Sequence, residues 1–257
     1  MRHVVLEFLF WPALLAYGEA AVAYAGNVRY PGLSRLAIWG VRAGWLVQTA
    51  LLAVQAYRAD GFPWDTWAGS LNLFVWLVVG GYLVWGCKPR YRLLGLAVMP
   101  FAAVLLVASY LGGGADTDGS AHFSTAFLVL HVGLVLAAFA ALTLAAALGG
   151  LYLWEERALK LRRPGLLRLR APSLLTLEVL AWRTVVVALP LLTLGMAAGF
   201  VHGASLDPQI VVTLVVWALY AAFLVVRPRG RRAALLQVAG FALVLTAPLG
   251  LLLTHLS

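Results

Sequence analysis

The sequence predicts an all-α, polytopic integral membrane bundle of about eight transmembrane helices, and three observations carry that expectation. Of its 257 residues, 63% are hydrophobic and only 11% are charged, against roughly 45–50% and 25% in soluble domains. The apolar residues gather in runs of about 18–25, long enough to cross a ~30 Å hydrocarbon core as helices. The alternation of a membrane β-barrel strand is absent. The mean hydropathy of +0.92 agrees with that reading.

Taken in order, the runs fall at roughly 4–25, 36–57, 68–87, 93–111, 124–153, 180–201, 209–226 and 233–254. The first begins MRH and ends A-Y-A before Gly26, the outline of a signal peptide. Glu7, Pro12 and Glu19 interrupt its apolar region, however, and a retained helix fits the loops that follow. The second and third runs flank "GFPWDTWAGS", whose Trp64 and Trp67 suit an interfacial aromatic belt. The fifth run, 123–154, is too long to stand upright in the bilayer. It either tilts or keeps its first turns outside, and both place His131 near the outer interface. At the start of the seventh, Asp207 and Pro208 read as a helix N-cap and first helical residue.

The formal charge of +9 resembles a nucleic-acid signal until the cations are located. Arg29 and Arg35 lie in the first loop, and Lys88, Arg90 and Arg92 in the third. The fifth, a basic stretch at about 155–178, holds Arg157, Lys160, Arg162, Arg163, Arg168 and Arg170, and the seventh holds Arg227, Arg229, Arg231 and Arg232. The other loops carry Arg58 with Asp60, Asp65, Asp116, Asp118 and Asp207. The positive-inside rule then puts the basic loops in the cytoplasm and both termini on the outer, periplasmic side. Charge here writes topology, so membrane lipid rather than nucleic acid is the expected surroundings. The whole of 1–257 reads as one transmembrane domain, with 155–178 a basic cytoplasmic loop or surface helix.

Polar groups in a bilayer are costly and therefore informative. Neutral imidazole is a strong ligand for iron and other transition metals, and all five histidines fall on the predicted outer side. His131 lies near the outer end of the fifth helix, His202 after the sixth and His255 at the end of the eighth. His3 and His122 are read as residues merely tolerated at an interface, the ordinary reading for any single one of the five. Glu178 and Arg183 suit an ion pair or snorkelling at the start of the sixth helix. Glu19 and Arg42, placed deeper, suit a helix-to-helix pair or a proton path, and Gln48 a hydrogen bond joining two helices. The single cysteine, Cys87, excludes an internal disulfide and a C-x-x-C redox pair. No nucleophile–base constellation, phosphate-binding glycine loop or carboxylate pair supports hydrolase or NTPase chemistry.

Three stretches together resemble the CcsA/ResC family of cytochrome c assembly proteins: "FLVLHVGLVLAAFAALTLAAALGGLYLWEERALK", "LAWRTVVVALPLLTLGMAAGFVHG" and "LDPQIVVTLVVWALYAAFLVVR". "GFPWDTWAGSL" resembles the family's approach to its third helix. The resemblance implies a heme-handling fold of the bacterial cytoplasmic (inner) membrane. In it, periplasmic histidines flank a Trp-rich W-x-W-D-P segment and ligate heme for attachment to apocytochrome c. By that resemblance His131 matches the histidine before the motif, Asp207 and Pro208 its end, and His255 the histidine after it.

Several family positions differ. Ala204, Ser205 and Leu206 stand where the family is aromatic. Gly61 and about Val225 stand where it has transmembrane histidines, and Gly69 where it is acidic. These losses resemble the compact HemX (YpjD-like) branch. The expectation is a heme b-binding chaperone or assembly factor more than an enzyme, with heme-lyase subunit activity left open, His131 and His255 as axial ligands, and assembly proteins or apocytochrome c as partners. A second reading is a regulator or scaffold of heme biosynthesis or cytochrome assembly that binds no heme. A third, a small-solute transporter, is opposed by the absence of an internal repeat and the scarcity of mid-membrane polar residues.

Overall fold

The computed structural model describes residues 2–27, 33–58, 64, 66–86, 91–113, 125–161, 172–201 and 208–256, with side chains left out at several helix ends, including 246–256. Eight helices occupy these residues, and no strand occurs among them: α1 Arg2–Asn27, α2 Leu33–Arg58, α3 Trp67–Gly86, α4 Arg92–Leu111, α5 Thr125–Lys160, α6 Leu174–Val201, α7 Pro208–Val226 and α8 Gly230–Leu256. Six contain segments long and apolar enough to span a membrane, and Ile210–Val226 of α7 is a shorter apolar helix. The chain is a multi-pass membrane helix protein, as its hydropathy predicts.

Two helices exceed the expected bounds. The fifth runs past residue 153 to Lys160 because E-E-R-A-L-K is made of good helix formers. Lys160 Nζ donates to Glu156 Oε1 at 2.6 Å one turn away. The sixth starts at Leu174 rather than 180, behind a cap that apolar periodicity does not reveal. Ser173 Oγ accepts the Thr176 N–H at 3.3 Å, an N-terminal cap. Helix therefore occupies both ends of the stretch 155–178.

The chain divides into two compact units, Met1–Val129 and Leu130–Ser257. In the first, α1 packs on α2 and α4, and α3 closes the ring against both. Buried positions recur every three or four residues: Leu6, Phe10, Ala13, Tyr17 and Ala20 on α1, then Ala37, Val41, Gln48, Leu51 and Gln55 on α2. Such spacing sets the buried positions of each helix along one face, turned to its neighbours.

Polar residues occupy this seam as well. Tyr17 Oη donates to Gln48 Oε1 at 2.7 Å. Gln48 Nε2 donates to Asn72 Oδ1 at 2.8 Å and to the Asn72 carbonyl at 3.1 Å. Asn72 Nδ2 and the Trp64 indole N–H both approach Gln55 Oε1, at 3.5 and 3.3 Å. Gln48, expected to join two helices, thus joins three. Trp64 and Trp67 also turn inward: the Trp64 carbonyl accepts from Ser70 Oγ at 2.7 Å, and Trp67 covers Gly112 so closely that a Cβ there would overlap its ring. Trp45 stacks on Trp76 with centroids 5.3 Å apart.

The second unit is built differently. Here α6, α7 and α8 contact one another, and α5 reaches both α6 and α8 at glycines. A Cβ on Gly195 of α6 would lie 2.7 Å from Val135 Cγ2 and 3.1 Å from the Val135 backbone N. One on Gly149 of α5 would lie 3.1 Å from the Ala234 carbonyl oxygen of α8. Bare glycine lets the backbones approach, the small-residue packing typical of membrane helices.

Candidate functional site

The site begins with the spacing of two glycines on α6. Gly195 and Gly199 stand one turn apart and share a face, and they bare a shallow groove in the helix surface. Into it α5 lays His131 and Val135, also one turn apart. A Cβ on Gly199 would lie 2.8 Å from His131 Cε1 and 3.2 Å from Nδ1, so the half-buried imidazole rests against bare backbone. His131 Nδ1 lies 2.7 Å from the Gly195 carbonyl oxygen.

That one contact fixes the chemistry of the ring. A carbonyl oxygen only accepts, so Nδ1 must carry the proton and donate. In the neutral imidazole the lone pair then sits on Nε2, the nitrogen a metal would take. Anchoring one ring nitrogen to a backbone carbonyl is how proteins orient ligand histidines and raise their basicity. The hydrogen bond thus sets the tautomer and the orientation of the His131 ring. Among the described residues no three histidines, cysteines or acids cluster as a metal cage. A heme needs no such cage, because the porphyrin supplies four of the iron's ligands.

The other expected residues are described to different extents. His255 stands in the last turn of α8, with its side chain outside the described residues. Pro208 is the first residue of α7, the helical position its missing N–H predicts. Asp207, His202, His122 and Cys87, together with Ala204–Leu206 and Gly61, lie outside the described residues, as do the side chains of His3 and Pro208. Glu178 and Arg183 form no ion pair with each other; five residues apart on α6, they point about 140° away from one another. Arg183 is exposed, as snorkelling requires. Glu19 is also exposed, and the Arg42 guanidinium lies over the Trp39 ring, 5.4 Å from its centroid.

Sequence reasoning singled out His131 by residue type and missed its partners. Gly195 is used through its carbonyl, which every residue possesses, so nothing in its identity marks it as an acceptor. The G-x-x-x-G spacing of Gly195 and Gly199 was the available signal.

Residues 64–256 match the family described as cytochrome C assembly protein. Among curated relatives, the chain is 29% identical to Protein HemX of Brevibacillus brevis, over 77% of this chain and 76% of that protein. It is 26% identical to the cytochrome c biogenesis protein CcsA of Picosynechococcus sp., over 94% of this chain and 90% of the relative. The CcsA of Gloeothece citriformis is also 26% identical, over 86% and 85%.

Proposed function

The chain belongs to the cytochrome c assembly protein family, and from that premise we propose that it handles heme for cytochrome c biogenesis. In this reading it sits in the bacterial cytoplasmic (inner) membrane and holds heme b at its outer face, with His131 and His255 as axial ligands. The observation that carries the ligand assignment is the bond from His131 Nδ1 to the Gly195 carbonyl, which presents Nε2 as the coordinating nitrogen. Heme, when bound, supplies an iron with two axial positions that imidazoles fill.

The chain's own residues do the rest. Gly195 orients the His131 ring, and Gly199 leaves room for it against α6. Asp207 and Pro208 are assigned to the same heme-binding set by their match to the end of the family motif. The role is that of a chaperone, with apocytochrome c or other assembly proteins as partners.

A reduced-minus-oxidised absorption spectrum of the detergent-purified protein tests this, alongside His131→Ala and His255→Ala. The expected result is a six-coordinate heme signal, weakened in both variants and restored to His131→Ala by added imidazole. Protein that stays colourless after reconstitution with heme overturns the assignment. The second reading, a regulator or scaffold that binds no heme, is favoured by Ala204, Ser205 and Leu206 in place of aromatic residues. It predicts colourless protein that still co-purifies with assembly partners.

A further inference from the structure

At the basic ends of α7 and α8 the second unit contains a cavity of about 190 Å³, bordered by α5, α6 and the Arg227–Arg229 turn. Its walls include Leu148, Leu177 and Phe223; Arg227, Arg229, Tyr152 and Glu178 give it a polar side. Arg227 is held firmly. Its N–H donates to the Phe223 carbonyl at 3.0 Å, closing α7 from the left-handed conformation at φ 50°. Its guanidinium lies 5.8 Å from the centroid of the Trp182 ring, within cation–π range. Neither Arg227 nor Arg229 has an ion-pair partner among the described residues.

A second cavity of about 130 Å³ adjoins the first, sharing Phe223 and Pro228, and its remaining walls include Leu219, Val226 and Leu236. A cationic mouth beside an apolar slot has the form of an amphiphile site. The mouth is smaller than the roughly 300–1,000 Å³ of pockets that enclose drug-sized ligands. It suits a headgroup and not a porphyrin. Basic pockets between spanning helices on the cytoplasmic side are where anionic lipid headgroups bind, and the positive-inside rule assigns this turn to that side.

We propose that one phosphatidylglycerol-type lipid docks here, its phosphodiester between Arg227 and Arg229 and an acyl chain in the slot beside Leu219 and Leu236. Glu178 selects among phosphates. Its carboxylate repels a second negative charge but accepts hydrogen bonds from the glycerol hydroxyls, which favours a singly charged diester over free phosphate.

Native mass spectrometry of the full-length protein tests the site, with phosphatidylglycerol or phosphatidylcholine added in detergent. One phosphatidylglycerol is expected to stay bound under activation that strips phosphatidylcholine. Arg227→Gln/Arg229→Gln weakens it at least about tenfold, and Arg231→Gln/Arg232→Gln, at exposed positions outside the cavity, leaves it in place. Leu236→Trp, which fills the slot and keeps every charge, must weaken it too. Equal retention of the two lipids, or an adduct indifferent to the Arg227/Arg229 and Leu236 variants, overturns the proposal. Displacement by inorganic phosphate alone overturns the lipid and leaves a simple anion site.

Discussion

The two units weight two kinds of helix contact differently, although each contains both: Gly40 and Gly112 are closely covered in the first, and Tyr220 donates to the Gln237 carbonyl in the second. The first ties its helices together with buried side-chain hydrogen bonds, from Tyr17 through Gln48 and Asn72 to Gln55 and Trp64. The second relies on bare backbone at Gly149, Gly195 and Gly199 and keeps cavities at one end. A satisfied polar network fixes one arrangement, because every alternative leaves a donor or acceptor stranded in a low-dielectric interior. Glycine contacts fix distance, and they leave room for a large side chain such as His131. The lesson is that the extended polar network lies in the first unit, while the glycines that seat His131 and Val135 lie in the second.

Breaking the network has the largest expected effect. Gln48→Leu removes the acceptor of the Tyr17 hydroxyl and the donor to Asn72 Oδ1, at a cost of about 3 kcal/mol. A fall in unfolding midpoint, followed by tryptophan fluorescence in detergent, reads it. A change below about 0.5 kcal/mol would mean the network holds nothing together. In the second unit, Gly195→Ala presses a methyl on the Val135 backbone, which no rotamer change relieves, and should cost about 2 kcal/mol. Gly199→Ala meets only the imidazole, which can swing aside. It should cost less stability while altering any heme spectrum, and equal losses in the two alanine variants would erase the distinction between packing glycine and ligand-seating glycine.

Smaller effects sharpen the contrast at the helix ends. Ser173→Ala removes the cap of α6 and should lower stability by about 1 kcal/mol, seen as fraying by amide exchange at the first turn. Glu156→Gln breaks an exposed pair on α5 worth about 0.3 kcal/mol. Its effect should vanish in high salt.

The helices themselves were legible because each apolar run is bounded by charged or turn-forming residues, and α7 begins at the Pro208 that its sequence marks. The ends of α5 and α6 were harder to read. There the helix is continued by an ion pair and a serine cap rather than by hydrophobic periodicity. The Gln48 network joins residues 24 and 31 positions apart, and only the bundle's register brings them together. His131 was legible as an imidazole in an apolar run, while its tautomer depends on a backbone oxygen 64 residues away. The arginines of the Arg227–Arg232 stretch were read as topology signals alone, because charge counting cannot see a cavity.

The bond at Gly195 divides one ring between two duties. Nδ1 serves as a mechanical anchor and Nε2 as the chemical face. Replacing His131 therefore removes a bond between α5 and α6 together with a nitrogen able to coordinate, so the clasp and the ring's chemistry are lost in one substitution.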